Sequence, residues 1–306
     1  MCLYQKPRTP KQEAAFKWGL ERMDLLYAHR TTCVWRATRV LKGLTHKPYS
    51  ERGWPFFEQN VSSLLKQGHM LLNLGTDSAM STLEELSQKW PPSRLPSFDQ
   101  LVEGASYSNW HGLGLLGRLQ DTRPPPLLHQ EFAHVLQSTK AFTNGADAQT
   151  VCELYKKLST IVLDGGKEFV FMALGWGSEE AIKLSKVLPC CAQMEALSLS
   201  RNPLGKAGAI ALADTLATSH TLTSVDVENT NLFDDGVAVV LDALARNTKA
   251  KIQWLYISRN HLSIDGARHV AKYMAADTHL KLLSVWDNPG LGEGMAEIAR
   301  AFLHNK

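Results

Sequence analysis

The strongest pattern of apolar and polar positions lies in the C-terminal part of the chain, where one unit recurs four times. Each unit begins with two apolar residues separated by a single residue, and the first of each pair are Leu197, Val225, Leu255 and Leu283. These positions are 28, 30 and 28 residues apart. Alternation predicts a strand with one buried face, and a fixed period of this length is typical of stacked repeats.

Each predicted strand is followed by a predicted helix, because apolar residues recur at i, i+3, i+4 and i+7. The four sets are Ala209, Leu212, Ala213 and Leu216; Val237, Val240, Leu241 and Leu244; Ala267, Val270, Ala271 and Met274; and Met295, Ile298, Ala299 and Phe302. A glycine stands directly before each set, at Gly208, Gly236, Gly266 and Gly294. We expect these glycines to relieve crowding where the helices start.

A fifth, degenerate unit precedes the four regular ones. Phe169 and Phe171 take its strand positions, and its helix is predicted over 178–188. Terminal repeats are often atypical because they cap the stack, and we expect the helix at 148–163 to cover this end. At the other end no capping segment follows the last repeat, so we expect either an exposed strand edge or an incomplete chain.

An asparagine follows the strand in three of the four regular units, at Asn202, Asn260 and Asn288. Its amide suits a turn in which side chains bond free backbone groups, and stacked units would form a ladder that Thr230 interrupts. The pattern L-x-L-x-x-N-x-L resembles the leucine-rich repeats of the ribonuclease-inhibitor type, also found in Ran GTPase-activating proteins and NOD-like receptors. The resemblance implies an α/β solenoid of about four to five repeats, with parallel strands inside and helices outside.

The residues between the buried strand positions would line the concave face of this solenoid. They form one row of Ser198, Asp226, Tyr256 and Ser284 and a second of Ser200, Glu228, Ser258 and Trp286, with Ala196, Ser224 and Trp254 beside them. Aromatic side chains beside charged ones are the types that anchor protein partners. The predicted partner-binding residues are Ser198, Ser200, Asp226, Glu228, Trp254, Tyr256, Ser258 and Trp286. The alternative is a solvated sheet face without a partner.

The N-terminal segment, residues 1–75, predicts an α/β fragment. An amphipathic helix is expected over 12–30, with Thr9 as its N-cap and Pro10 at the first helical position. A strand follows over 31–41 and a second helix over 50–66, in which Phe57, Val61, Leu64 and Leu65 share one face.

The segment Tyr49–Glu58, with Trp54 followed four places on by Glu58, resembles the later part of a heterokaryon-incompatibility (HET) domain. HET domains are similar to Toll/interleukin receptor (TIR) domains, in which the corresponding glutamate helps cleave NAD. That resemblance implies a catalytic role for Glu58. The first strand and helix of the family would lie before Met1, so we expect a remnant in which Glu58 is an exposed carboxylate on the helix.

The middle of the chain, residues 76–146, is predicted to be an irregular proline-rich connector with short helices. The run Pro124–Pro126 favours extended geometry and indicates a boundary. Gly112–Gly117 fits G-x-G-x-x-G, but no buried strand precedes it, as a dinucleotide site requires. We therefore predict three parts: 1–75, the connector 76–146, and a helical cap with the repeats over 147–306.

Composition narrows the class of function. The chain has 306 residues with 33 basic and 30 acidic ones, and this balance does not favour a nucleic-acid or membrane partner. Five cysteines without a Cys-x-x-Cys pair or a signal peptide indicate a reduced, cytoplasmic setting. His129 and His134 lack further ligands at metal spacing. We expect no metal and no cofactor.

Three functions remain in competition. The leading hypothesis is a non-enzymatic intracellular scaffold that binds a protein on its concave face, since solenoids commonly use that surface. The second is activation of a small GTPase, implied by the resemblance to Ran GTPase-activating proteins, although their acidic tail is absent. The third is NAD cleavage through Glu58. No P-loop of the G-x-x-x-x-G-K-[ST] type occurs, which argues against an ATP-driven switch.

Overall fold

The computed structural model of the protein describes residues 7, 9–20, 27, 32–36, 38–39, 47–66, 70–89 and 123–304. They divide into two compact units, the first from 1–121 and 129–159 and the second from 122–128 and 160–306. This differs from the predicted boundary at residue 147. The helix expected to cap the repeats lies in the first unit over 147–159, and Pro124–Pro126, predicted to be a boundary, lies in the second.

The first unit is an α/β fragment, as its sequence predicts. Its described elements are α1 (Pro10–Leu20), β1 (Val34–Arg36), α2 (Gly53–Ser62), β2 (Leu71–Asn73), α3 (Asp77–Lys89), α4 (His129–Thr139) and the first part of α5 (Asp147–Gly165). Strands β1 and β2 pair in parallel, Trp35 opposite Leu72. The predicted cap of α1 is present, because the Gln12 amide donates to Thr9 Oγ1 over 3.3 Å.

The core of the first unit forms around the apolar face of α2. Phe57, Val61 and Leu64 are fully buried there, as the helical spacing predicts. The ring of Phe132 stacks on that of Tyr155, with 3.8 Å between centroids. Helices α4 and α5, whose sequences were assigned to a connector and a repeat cap, therefore supply core residues to this unit.

The second unit is a leucine-rich-repeat-like solenoid with five parallel strands. The strands are β3 (Glu168–Val170), β4 (Ala196–Ser198), β5 (Ser224–Asp226), β6 (Trp254–Tyr256) and β7 (Leu282–Ser284), paired in that order. The helices are α6 (Ser178–Val187), α7 (Gly205–Thr218), α8 (Phe233–Arg246), α9 (Ile264–Ala276) and α10 (Gly294–His304). Consecutive elements of the same type neighbour each other, as in stacked repeats.

The register of the sheet follows the repeat pattern. The central residues Phe169, Leu197, Val225, Leu255 and Leu283 pair with one another across the five strands. The first four are at most 2 % exposed, because their side chains face the helices. The degenerate unit is confirmed as the first repeat, with Phe171 and Trp176 buried and their rings stacked 5.0 Å apart.

The asparagine ladder joins each turn to the preceding one. Asn202 Oδ1 accepts from the backbone amides of Leu174 and Trp176 over 2.9 and 3.1 Å. Asn260 and Asn288 make the equivalent bonds to the turns before them. The ladder confirms the predicted role of these amides, since buried backbone groups need partners.

Thr230 interrupts the ladder, as the sequence predicts. Its hydroxyl donates to the Val227 carbonyl over 2.6 Å but does not reach the preceding turn as an asparagine would. That turn closes on itself instead, with the Leu204 amide donating to the Asn202 carbonyl over 2.7 Å. The interruption is therefore a local substitution of one hydrogen-bonding pattern for another.

The repeated glycines relieve crowding, but most lie inside the first helical turn and not before it. A Cβ at Gly236 in α8 would come within 2.9 Å of the Leu232 Cβ and 3.4 Å of the Lys206 Cα. At Gly294, the first residue of α10, a Cβ would lie 2.4 Å from the Ala267 Cβ of α9. The glycines thus set the close approach of neighbouring repeats.

The segment 123–128 covers the outer edge of β3. Arg123 is buried, its Nη2 donates to the Val170 carbonyl over 2.6 Å, and its guanidinium lies 4.8 Å from the Phe171 ring centroid. The Trp176 indole donates to the Arg123 carbonyl over 2.8 Å. Pro125 and Pro126 are also buried. This first edge of the sheet is therefore closed to further strand pairing.

Candidate functional site

The concave face of the solenoid carries the predicted rows of side chains. Ser198, Asp226, Tyr256 and Ser284 are in register across four strands, and Trp254 lies next to Ser224 and Leu282 in the adjacent row. Trp254 is 37 % exposed, and Ser198, Asp226 and Tyr256 are half-buried. Side chains on this face alternate with the buried core positions.

Two of the eight predicted contact residues lie beneath the surface. Ser200 is 3 % exposed and Ser258 is fully buried. The Ser258 hydroxyl is 2.8 Å from that of Ser284, and the Ser200 hydroxyl is 3.3 Å from that of Ser198. Because both side chains are buried and bond to neighbouring serines, we remove Ser200 and Ser258 from the set of contact residues.

Asp226 and Glu228 form an acidic pair at the C-terminal end of β5 on the concave face. Asp226 Oδ2 accepts from the Ser198 hydroxyl over 2.7 Å, and Asp226 Oδ1 accepts from the Glu228 amide over 3.0 Å. Burial, and then the nearby Asp226 charge, raises the pKa of Glu228, while Arg259 opposes the rise. Two adjacent carboxylates favour an approaching cation.

Arg259 organises the side chains next to this pair. Its guanidinium lies 4.1 Å from the ring centroid of Trp286, and its Nε donates to Asp287 Oδ2 over 2.9 Å. Its Nη1 is also 3.9 Å from Glu228 Oε1. Trp286 is 51 % exposed, so one face of its indole is held by Arg259 while much of the ring meets solvent. We call Asp226, Glu228, Arg259, Trp286 and Asp287 the concave cluster.

Arg259 and Asp287 were absent from the predicted set. Both precede a ladder asparagine and adopt a left-handed backbone, with φ of 55° and 54°. This turn lifts their side chains beside the concave rows, which strict strand alternation does not anticipate. The signal was present in the repeat alignment, where the residue before the asparagine is arginine or aspartate in the three units that keep the ladder.

A second cation–aromatic pair lies at the other end of β6. Lys281 Nζ is 5.8 Å from the ring centroid of Trp254. Tyr256 stands between the two tryptophans along the concave face, directly opposite Asp226 and Ser284 in the sheet. The face thus presents three aromatic side chains, each within one strand of a charged group.

In the first unit, Glu58 is half-buried, and the expectation of an exposed carboxylate is wrong. Burial raises its pKa, while a hydrogen bond from the Tyr27 hydroxyl and the charge of Arg52 oppose the rise. Trp54, the other member of the HET/TIR-like pair, donates from its indole nitrogen to Asp147 Oδ2 over 3.0 Å. Helix α2 therefore places Glu58 in a half-buried position near Tyr27 and Arg52, and Trp54 links α2 to the start of α5.

The described residues offer few other sites. Within the described part of the chain, His, Cys, Asp and Glu side chains form no group of three that could hold a metal ion. No described helix has both the length and the apolar character needed to cross a membrane. The G-x-G-x-x-G stretch at 112–117 lies outside the described residues.

No known protein-family profile matches the chain. Among solved structures, the chain is similar to actin-binding site 2 of leiomodin-1, with 16% identity and a TM-score of 0.41 over 49% of this chain and 86% of that one. It is also similar to the C-terminal domain of a Caenorhabditis elegans tropomodulin, with 16% identity and a TM-score of 0.40 over 49% of this chain and 92% of that one.

Proposed function

We propose that the protein is an intracellular interaction module that binds a protein partner through the concave face of its repeats. The observation that carries this proposal is the concave cluster, in which an exposed Trp286 is held in place by Arg259 next to two acidic side chains. Tryptophan, tyrosine and arginine are the residues that most often dominate binding energy at protein interfaces.

The cluster is arranged before any partner arrives. Arg259 contacts Trp286, Asp287 and Glu228 at once, so its long side chain loses little further freedom on binding. Asp226 is fixed in the same way by Ser198 and by the Glu228 amide. The three carboxylates of the cluster exceed the two arginines whose charges act on Glu228, Arg259 and Arg201, so the cluster favours a partner segment that presents a lysine or arginine.

Truncation of the aromatic anchors tests the proposal. We expect Trp286→Ala to weaken partner binding about 30-fold, the loss of about 2 kcal/mol that marks an interface hot spot. Tyr256→Ala should act in the same direction. The matched control is Ile210→Ala, because Ile210 is 56 % exposed on an outer helix. Equal affinities for the Trp286 and Ile210 variants would refute binding through the concave face.

We propose binding and not catalysis as the activity of the repeats. The concave cluster lies on an open sheet face, whereas small-molecule sites usually enclose most of their ligand. Activation of a small GTPase stays a prediction. A GTP hydrolysis assay with candidate GTPases tests it, since no acceleration is expected from a simple binding module.

A second candidate function is NAD cleavage through Glu58, and the half-buried position of this carboxylate favours it. A raised pKa next to tyrosine and arginine side chains is common at catalytic sites. If Glu58 takes part, NAD loss catalysed by the full chain should disappear in Glu58→Gln. It should persist in Glu51→Gln, because Glu51 is an exposed carboxylate of the same unit. No NAD loss with the unaltered chain would reject this function.

The cysteines support the proposed intracellular setting. Cys33, Cys152, Cys190 and Cys191 are all free thiols. Cys190 and Cys191 are neighbours in sequence, one exposed and one buried. Reduced thiols persist in the cytosol, whereas secreted proteins usually pair them.

A further inference from the structure

The helix stripe that faces the next repeat has both end positions buried in three regular units and exposed in the fourth, where Ile298 between them stays buried. Its first position is at most 1 % exposed at Ala209, Val237 and Ala267, but 43 % exposed at Met295. Its last position is at most 5 % exposed at Leu216, Leu244 and Met274, but 59 % exposed at Phe302. An apolar stripe that is buried elsewhere in the same fold indicates a surface built to be covered.

The outer edge of β7 offers unused backbone groups beside this stripe. In the preceding repeat, the Gln253 carbonyl accepts from Leu282, and the amides of Ile257 and Arg259 donate to Ser284 and Trp286. One repeat later, the corresponding groups are the Lys281 carbonyl and the amides of Val285 and Asp287. Within the described residues no strand takes these groups, unlike the β3 edge that Arg123 covers.

Leu283 and Val285 complete an apolar groove between the strand edge and α10. Their side chains point toward the helix, where Ile298 and Phe302 form the opposite wall of a groove of about 580 Å³. Leu303, 64 % exposed, lies at the end of the same wall. Any occupant must therefore offer both a strand to pair with and an apolar surface to fill the groove.

We propose that a second copy of this chain covers the end surface formed by β7 and α10, through two-fold antiparallel pairing of the two β7 strands. When the axis passes beside Ser284, the outward backbone groups of Leu283 meet those of Val285 in the second copy. The Val285 and Asp287 amides then donate to the carbonyls of Leu283 and Lys281 in the second copy. Two five-stranded sheets would join into one, as a two-fold interface requires of a single self-complementary surface.

Charge complementarity distinguishes this occupant from others. The same register places Lys281 opposite Asp287 of the second copy, and the two-fold axis repeats the pair. Both side chains are exposed, and Asp287 is 55% accessible although it also contacts Arg259. A short extended peptide would pair with the edge but leave Phe302 and Leu303 uncovered. In the dimer, the α10 helix of each copy would cover these residues of the other copy.

A charge-swap experiment tests the proposal on the full chain. Sedimentation velocity should show a concentration-dependent dimer for the unaltered protein. Lys281→Asp places aspartate opposite aspartate, and Asp287→Lys places lysine opposite lysine, so each variant alone should dimerise at least about tenfold more weakly. Mixed in equal amounts, the two variants restore both opposite-charge pairs, and the mixture should dimerise again. Circular dichroism of each variant verifies that it is folded.

The outcomes separate the second copy from other occupants. If neither variant dimerises alone but their mixture does, the register is confirmed, because two misfolded variants would not form a dimer when mixed. A monomer at concentrations up to about 100 µM, far above a micromolar dissociation constant, would overturn the proposal and leave the end surface to another segment. A dimer that both substitutions leave unchanged would also overturn it.

Discussion

Asn260 is the residue whose loss should reveal most clearly what holds the repeats together. Its side chain is fully buried between the turns that follow β5 and β6. Oδ1 accepts from the backbone amides of Thr230 and Leu232, each over 3.1 Å, and Nδ2 donates to the Val227 carbonyl over 2.7 Å. One side chain thus satisfies three backbone groups of the preceding turn.

The expected cost of Asn260→Ala follows from these bonds. The Val227 carbonyl keeps the Thr230 hydroxyl at 2.6 Å, so the unsatisfied groups are the two amides of Thr230 and Leu232. A buried donor without a partner costs about 1–3 kcal/mol. We therefore expect the free energy of unfolding of the repeats to fall by about 3–4 kcal/mol, a large part of the usual 5–15 kcal/mol.

Urea titration read by pulsed hydrogen exchange measures this loss in the repeats themselves. With a slope of about 2 kcal/mol per molar urea, the midpoint for peptides from β5 and β6 should fall by about 1.5–2 M. Asn144→Ala is the matched control, since Asn144 is an exposed turn asparagine with similar local bonds. If both variants lower the midpoint equally, the ladder does not carry the stability assigned to it.

Three further substitutions test other features of the repeats. Thr230→Asn should restore the interrupted ladder and raise the free energy of unfolding by about 1 kcal/mol in urea titration; a decrease would contradict the ladder geometry. Gly236→Ala should lower it by about 1–2 kcal/mol, because its methyl group would lie 2.9 Å from the Leu232 Cβ; no loss of thermal stability would show that the turn relaxes. Burial raises the pKa of Glu228, so its contribution to stability is full below the ordinary glutamate pKa and is lost as pH rises through the folded pKa. As the pH rises above the ordinary glutamate pKa of about 4.3, the Glu228→Gln variant should therefore lose less stability than the unaltered chain in urea titrations, and identical pH profiles would refute this.

The repeats were predictable because their signals are local and recur. The alternating pattern around Leu197 and Leu255 predicts both the strand and which of its faces is buried. The same helical spacing then follows each strand. The asparagine positions identified the ladder and its interruption at Thr230. Agreement among several copies of one pattern compensates for the weakness of each copy.

The concave cluster was only partly predictable, because it depends on backbone geometry outside the strands. Arg259 and Asp287 reach the concave face through left-handed turns, which an alternating pattern does not show. Ser258 alternates correctly with the core positions, but its short side chain is fully buried against Ser284. The sequence thus predicted which strand residues face the concave side, but it did not predict Arg259 and Asp287, which organise the exposed Trp286 side chain.

The parts outside the repeats depend on long-range contacts that have no periodic signal. Arg123 covers the β3 edge, although it lies in a proline-rich stretch whose sequence predicts a linker. Phe132 and Tyr155 join the core of the first unit across intervening turns. Strands β1 and β2 are short and pair with each other. Strand β2 was not predicted, because its three residues are too few to show an alternating pattern of apolar and polar positions.

Side-chain footprinting of Trp286 in the presence of a partner tests the central proposal most directly. Trp286 is 51 % exposed and Trp18, in the first unit, is 58 % exposed, so both should be oxidised by hydroxyl radicals in the free protein. We predict that a bound partner strongly protects Trp286 and leaves the oxidation rate of Trp18 unchanged. Undiminished oxidation of Trp286 in the complex would contradict binding through the concave face.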